Sequence, residues 1–176
     1  MPPEKISVAY ADNPVPLTHD RELNSPLALG RLLTEAAPRE EDRALVVGAA
    51  TGYAAAVLER LVASVVALEE DPELVAVAHT RLADTGVELV HGSLVAGHPA
   101  GAPYDLILID GAVEYIPDAL IAQLKDGGRL AAALLEDGIS RVSIGRRAGE
   151  GFGMAAITDR ASAFLPGFSK PRGFTF

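Results

Sequence analysis

Residues 44–52 read Ala-Leu-Val-Val-Gly-Ala-Ala-Thr-Gly, an apolar run that ends in a turn of small residues. The apolar half, residues 44–47, is short and has no polar interruption, which is typical of a buried parallel strand. A helix is predicted to follow at about residues 53–62. A buried strand that passes through a glycine turn into a helix predicts the first half of a βαβ unit.

The same alternation of apolar runs and amphipathic segments continues outward from this turn. Further strands are predicted at 65–68, 87–90, 106–109 and 130–135, and helices are predicted to begin near Ser25, Asp71 and Ile116. After residue 135 the pattern changes to an antiparallel hairpin, with strands at 141–148 and 152–159. We therefore predict an α/β protein with a mostly parallel, Rossmann-like sheet, helices on both faces and a C-terminal antiparallel hairpin.

The composition is that of one globular domain. The chain has 176 residues, and the domain is expected to span 25–167, between an irregular N-terminal segment at 1–24 and a tail at 168–176. The sequence has no cysteine, no signal peptide and no apolar run of membrane length, so no membrane association and a cytoplasmic location are expected. The net charge of −9 disfavours nucleic-acid binding, which depends on Lys and Arg contacts to phosphate. The four histidines do not cluster with acids, so no metal site is expected.

A glutamate follows the glycine turn at the distance expected of a nucleoside site. Glu69 stands 21 residues after Gly48, at the end of the second predicted strand. Small residues at 48–52 let backbone amides approach a ligand, and a carboxylate in this position accepts hydrogen bonds from a ribose diol. Each feature alone has a simpler explanation, namely a tight turn and a solvated acid. Their combination at this spacing favours the nucleoside interpretation.

The turn has no features for gripping a phosphate. A nicotinamide-dinucleotide fingerprint needs a small residue where Tyr53 stands. A P-loop needs Lys and then Ser or Thr after its last glycine, where this chain has Tyr53 and Ala54. S-adenosylmethionine contains no phosphate, so its turn needs neither feature.

Several stretches of the chain resemble the protein-L-isoaspartate O-methyltransferase family, over roughly residues 10 to 166. They are residues 46–58, 69–74, 102–109, 114–120, 123–130 and 164–166. The section from Ile116-Pro117 to Gly127-Gly128-Arg129-Leu130 is the most family-specific. The resemblance implies a seven-stranded class I methyltransferase fold, S-adenosylmethionine as methyl donor and S-adenosylhomocysteine as product. The reaction implied is methylation of the isoaspartate side carboxylate, which repairs damaged protein.

Two sets of site residues are expected from the turn and the resemblance. The cofactor-binding set is Gly48, Ala49, Ala50, Gly52, Glu69, Glu70, Ser93, Leu94 and Asp110. The catalytic candidates are Asn24 and Ser25, because the family's Thr-Ile-Ser-Gln-Pro segment aligns with residues 22–26 and its serine falls on Asn24. Simpler roles stay open for Ser25, as the helix N-cap before Pro26, and for Asp110, as a turn former.

Three functions remain open at this point. Methyl transfer to a carboxylate already has an anionic nucleophile, so the lack of a catalytic triad does not argue against an enzyme. This chain departs from the family at four positions. The family usually has an acidic residue where this chain has Val46, glycine where it has Ala50, aspartate where it has Ser93 and serine where it has Asn24. A catalytically degenerate cofactor-binding homologue and a methyltransferase for a small molecule are therefore the alternatives to repair of isoaspartyl protein.

Overall fold

A computed structural model of the protein describes residues 13–18 and 21–170. Its strands are β1 Val15–Pro16, β2 Glu22–Leu23, β3 Arg43–Val47, β4 Ser64–Glu69, β5 Glu88–His91, β6 Tyr104–Val113, β7 Leu124–Glu136, β8 Ile139–Ala148 and β9 Gly151–Asp159. Its helices are α1 Pro26–Ala36, α2 Tyr53–Leu58, α3 Pro72–Leu82 and α4 Asp118–Ala122. Residues 1–12, 19–20 and 171–176, which include parts of the predicted N-terminal segment and tail, lie outside the described residues.

Seven strands form one sheet in the order β5-β4-β3-β6-β7-β8-β9. The strands from β5 to β7 in this order are parallel, whereas β8 and β9 each run antiparallel to the strand before them. This arrangement confirms the predicted α/β class and its C-terminal antiparallel hairpin. The chain builds outward from β3 to β5 and then returns to place β6 on the other side of β3. Such a reversal opens a crevice at the carboxyl ends of the strands.

The antiparallel part is larger than predicted, because β7 and β8 also form a hairpin. Glu136 pairs with Ile139 across a turn made by Asp137 and Gly138. These two turn residues have left-handed φ values of 52° and 78°, which match the twist of tightly connected strands. The chain therefore ends its sheet as a three-stranded meander, β7-β8-β9, with no helix in between.

Two helices end earlier than their sequence patterns predicted. The sequence pattern of the helix predicted near Ile116 continues to Gly127 and Gly128, which are typical of helix ends, but α4 ends at Ala122. The reason is that Leu124 belongs to β7 and is buried in the apolar core that also contains Leu120 of α4. The two glycines therefore lie inside an irregular strand. Likewise α2 ends at Leu58, because the next turn is tightened by a hydrogen bond from Leu61 N to Leu58 O, 2.9 Å.

Apolar cores cover both faces of the sheet. On one face, α1, α2 and α3 pack over the sheet with residues such as Leu32, Val46, Leu58, Leu82 and Leu108. On the other face, α4 packs beside irregular segments that include Leu165 and Phe168. Phe168, where the tail was expected to begin, is fully buried, and its ring centroid is 6.2 Å from that of Tyr115. Among the described residues, no helix is long and apolar enough to cross a membrane.

A buried ion pair joins α1 to the amino-terminal end of the sheet, far along the strands from the crevice. Arg129 donates to both carboxylate oxygens of Asp42, and both side chains are 5% exposed or less. The same guanidinium donates to Ala36 O at 2.5 Å and Ala37 O at 2.7 Å, at the end of α1. Arg129 thus caps a helix terminus whose carbonyls have no partner within the helix.

We expect Arg129→Leu to lower the free energy of unfolding by about 3–5 kcal/mol, because it leaves Asp42 buried without its countercharge. Urea denaturation would measure the change. The control is Arg31→Gln, which removes the half-exposed pair between Arg31 and Glu35 on α1 and should cost about 0.5 kcal/mol or less. Equal losses in the two variants would contradict a special role for the buried pair.

Candidate functional site

The predicted glycine turn lies at the crevice, directly after β3. Gly48, Ala50 and Gly52 have left-handed φ values of 80°, 50° and 89°. A Cβ at Gly48 would lie 2.9 Å from Leu165 Cδ1, and one at Gly52 would lie 2.9 Å from Leu82 Cγ. Glycine is therefore required at both ends of the turn, for backbone conformation and for space.

The carboxylate of Glu69 lies at the carboxyl end of β4, beside this turn, and is fully buried. Its Oε2 accepts from Ala50 N at 2.6 Å, and its Oε1 accepts from Glu70 N at 2.8 Å and from Asp71 N at 3.0 Å. These amides draw the turn, the strand end and the start of α3 onto one carboxylate. Glu69 thus faces the turn, as the nucleoside interpretation expects.

A further partner of Glu69, Arg21, was missed by the sequence analysis. Arg21 Nη1 lies 2.6 Å from Glu69 Oε1, and Arg21 Nη2 lies 3.0 Å from Glu69 Oε2. The side chains of Arg21 and Glu69 are 7% and 0% exposed. Arg21 Nη2 also reaches Gly48 O at 3.4 Å. The sequence holds no signal for this pair, because 48 positions separate its members.

Asn24, the first catalytic candidate, connects three distant segments of the chain. Its Nδ2 donates to Asp110 Oδ1 at 2.8 Å, and its Oδ1 accepts from Ala163 N at 2.8 Å. Ala163 O in turn accepts from Ala112 N at 2.6 Å. Both oxygen and nitrogen of the Asn24 amide are therefore engaged, and Asn24 is buried.

Asp110 is buried at the same place, within β6. Burial raises the pKa of this carboxyl above its ordinary value, although the hydrogen bond from Asn24 and the charge of Arg21 act in the opposite direction. The charge of Glu69 adds to the increase. Asp110, Asn24, Arg21 and Glu69 thus form one electrostatically connected group at the carboxyl ends of β4 and β6.

The remaining predicted residues divide between the crevice and other roles. The hydroxyl of Ser25 accepts from Ala28 N at 3.2 Å and caps α1, which is the simpler of its two predicted roles. Ser93 is exposed, whereas Leu94 is buried. Leu94 N donates to Glu70 Oε2 at 3.2 Å, and this hydrogen bond holds Leu94 and Glu70 together on one wall of a cavity.

This cavity has a volume of about 570 Å³ and opens beside Arg21 and Glu70. Its lining includes Thr18, Arg21, Glu70, Asp71, Leu94 and Pro166. Of the predicted cofactor-binding set, Glu70 and Leu94 therefore line open space, whereas Leu165 covers the glycine turn. Among residues 13–18 and 21–170, no three His, Asp or Glu side chains gather in a way that could hold a metal ion.

The groups at the crevice fit a ligand with a ribose diol. A buried carboxylate, a turn of small residues and an adjacent cavity are in place. Within the described residues, Thr51 Oγ1 in the turn is buried without a hydrogen-bond partner, which leaves a polar atom for a ligand to satisfy.

Comparison with known sequences places the chain among methyltransferases. The profile of the protein-L-isoaspartate(D-aspartate) O-methyltransferase family matches residues 2–160. A protein-L-isoaspartate O-methyltransferase from Methanoregula boonei is 41% identical over 133 residues, 74% of this chain and 61% of that protein. One from Halorhodospira halophila is 36% identical over 83% of this chain and 68% of its own. The chain thus spans less than two thirds of the length of the Methanoregula protein.

Solved structures show the same fold. A protein-L-isoaspartate O-methyltransferase superposes with a TM-score of 0.79 over 92% of this chain and 55% of its own, at 22% identity. The Plasmodium falciparum protein in complex with S-adenosyl-L-homocysteine gives a TM-score of 0.69 over 89% of this chain and 81% of its own, at 20% identity. These likenesses confirm the class I methyltransferase fold. Because the family profile also matches most of its length, the chain belongs to the protein-L-isoaspartate(D-aspartate) O-methyltransferase family.

Proposed function

We propose that this protein is an S-adenosylmethionine-dependent carboxyl O-methyltransferase that acts on isoaspartyl residues in damaged proteins. The observation that carries the proposal is the buried carboxylate of Glu69 beside the glycine turn, at the crevice of a class I methyltransferase fold. Membership of the family and the names of the relatives at 36% to 41% identity support the reaction and the acceptor.

The cofactor supplies the methyl group when bound, and the chain's own residues hold and orient it. Glu69, positioned by three backbone amides, would accept hydrogen bonds from the ribose diol. Gly48 and Gly52 contribute no side chain of their own to the turn, and Leu165 and Leu82 pack against its two ends. Glu70 and Leu94 line the space for the adenine. Binding at the strand ends excludes water from the reacting groups.

The acceptor side is proposed to lie next to Asn24 and Asp110. A carboxylate acceptor is already an anion, so the site needs alignment and a dry environment more than a general base. Asn24 would donate from its amide to the acceptor once it releases Asp110, to which it now donates at 2.8 Å. Burial raises the pKa of Asp110, so its neutral form is favoured more than that of an ordinary aspartate.

The proposed partner is an isoaspartyl protein or peptide, and the proposed location is the cytoplasm. The net charge of −9 supports a protein acceptor over a nucleic acid. The absence of cysteine agrees with a compartment in which disulfides play no role.

Purified protein is expected to transfer a labelled methyl group from S-adenosylmethionine to a peptide that contains one isoaspartyl residue. The matched control is the same peptide with ordinary aspartate, which should accept far less label because its side carboxylate is placed differently. Label in a small-molecule fraction of a cell extract, with none on the peptide, would point to the small-molecule alternative. Cofactor binding without transfer to any acceptor would point to a catalytically degenerate homologue.

Glu69→Gln is expected to weaken binding of S-adenosylhomocysteine roughly 10- to 100-fold, because hydrogen bonds to a charged group are replaced by weaker neutral ones. Isothermal titration calorimetry would measure the affinity, and thermal denaturation would check that the variant folds. Glu88→Gln, at an exposed position of β5, is the control and should bind as the wild type does. Unchanged affinity of the folded Glu69 variant would remove this residue from the site.

Asp110→Asn is expected to raise the melting temperature at about pH 8, and the gain should shrink as the pH falls towards about 4. The folded-state pKa of Asp110 lies above its unfolded value, so ionisation costs folding free energy above the folded pKa and nothing below the unfolded one. The asparagine keeps an oxygen that can accept from Asn24. Scanning calorimetry across this pH range would measure the difference.

Asp105→Asn is the matched control with the opposite sign. Burial raises the pKa of Asp105, but hydrogen bonds from Arg43 N and Lys125 outweigh this effect and leave the pKa lowered. Removing this carboxylate should therefore destabilise the protein at about pH 8 and cost less as the pH falls through the folded pKa. A gain for Asp110→Asn that is the same at every pH would contradict the proposed effect of burial.

A further inference from the structure

The carboxylate of Glu69 has no free acceptor site in this structure. It receives five hydrogen bonds, three from backbone amides and two from Arg21. A carboxylate offers about four lone-pair positions. A ribose diol therefore cannot add to Glu69 and must replace one of its donors.

Arg21 is the donor that a ligand can replace. The three amides belong to the glycine turn and to the start of α3, so their removal would disrupt the fold around β4. Arg21 instead lies in the N-terminal segment, and its side chain reaches the cavity, which gives its guanidinium a path away from Glu69. The guanidinium donates two parallel hydrogen bonds to Glu69, and a ribose diol can donate the same number.

We propose that Arg21 is an autoinhibitory gate, which holds the ribose-binding carboxylate closed until the nucleoside displaces it. This inference rests on the proposed cofactor. In the closed form Arg21 neutralises the buried charge of Glu69, which would otherwise be costly. Nucleoside binding exchanges this ion pair for hydroxyl hydrogen bonds, so the apparent affinity is reduced by the fraction of molecules with the gate open.

The surroundings provide a second position for the displaced guanidinium. Glu70, Asp71 and Glu73 line the same cavity as Arg21. Asp71 Oδ2 already accepts from Thr18 Oγ1 at 3.3 Å, so Thr18 lies next to these acidic residues. A guanidinium that leaves Glu69 thus meets other carboxylates at the cavity, which lowers the free energy needed to open the gate.

Calorimetric titration with S-adenosylhomocysteine tests the gate. Arg21→Gln should lower the Kd roughly 10- to 100-fold relative to the wild type, because the competing charged hydrogen bonds are gone. Arg21→Lys retains the charge but lacks the fork, so its Kd should lie between the two. The matched control, Arg31→Gln, removes an ion-paired arginine from the surface of α1 and should leave the Kd unchanged.

Hydrogen exchange gives a readout that needs no ligand. In Arg21→Gln, the Ala50 and Glu70 amides that bind Glu69 should stay protected, since their own hydrogen bonds do not depend on Arg21. If Arg21→Gln does not fold, Arg21→Lys carries the test, and a Kd below that of the wild type supports the gate.

Two results would overturn the proposal. The first is a Kd in Arg21→Gln and Arg21→Lys that is equal to or above that of the wild type, which would make Arg21 neutral or helpful to binding. The second is no binding by any variant, since a Glu69 freed of its gate would then still reject the nucleoside.

The methyl-transfer assay separates these outcomes from the proposed function. Tighter binding without transfer supports the gate and not the enzyme, whereas transfer with unchanged Kd supports the enzyme and not the gate.

Discussion

The architecture of the site depends on one buried negative charge. An ionised carboxylate that is taken out of water is tolerated only when hydrogen bonds and an opposite charge replace its hydration. Glu69 meets this requirement with amides from the turn after β3 and the start of α3, and with the guanidinium of Arg21. The need to solvate this group positions the glycine turn relative to β4. The same charge that suits a ribose therefore also organises the elements around it.

A second polar connection closes the other side of the crevice. Asn24 binds Asp110 and Ala163, which are 86 and 139 residues away in the chain. Leu165, just beyond Ala163, lies over the glycine turn. Asn24 and Ala163 are thereby held on the same edge of the sheet, although neither lies in a strand of the seven-stranded sheet.

Two buried arginines, Arg21 and Arg129, have different roles at opposite ends of the parallel strands. Arg129 satisfies α1 carbonyls and Asp42 together, so its removal would leave several buried groups without partners. Arg21 satisfies mainly one carboxylate, which retains three amide donors, and its side chain borders open space. We propose that the buried ion pair is structural in the first case and exchangeable in the second, because only Arg21 borders a cavity that a ligand can enter.

Local pattern was sufficient for most of the sheet. Apolar runs and turns predict β3, β4 and β5 to within one residue at each end, but only the middle of β6, which extends from Tyr104 to Val113. The spacing from Gly48 to Glu69 predicts their proximity, because adjacent parallel strands bring their carboxyl ends to one edge. The pattern did not reveal the start of β7, since Gly127 and Gly128 occur at helix ends as readily as in irregular strands.

The amino-acid sequence alone established the α/β class, the family, the turn and the acidic residue after it, because these follow from periodicity and from short motifs. Tertiary structure alone decided what those residues contact. It placed Arg21 on Glu69, made Asn24 a connection between three segments, and assigned Ser25 to the cap of α1. Such contacts join residues far apart in the chain, and a side chain's partner is selected by the burial and charge of its surroundings, which no local pattern contains.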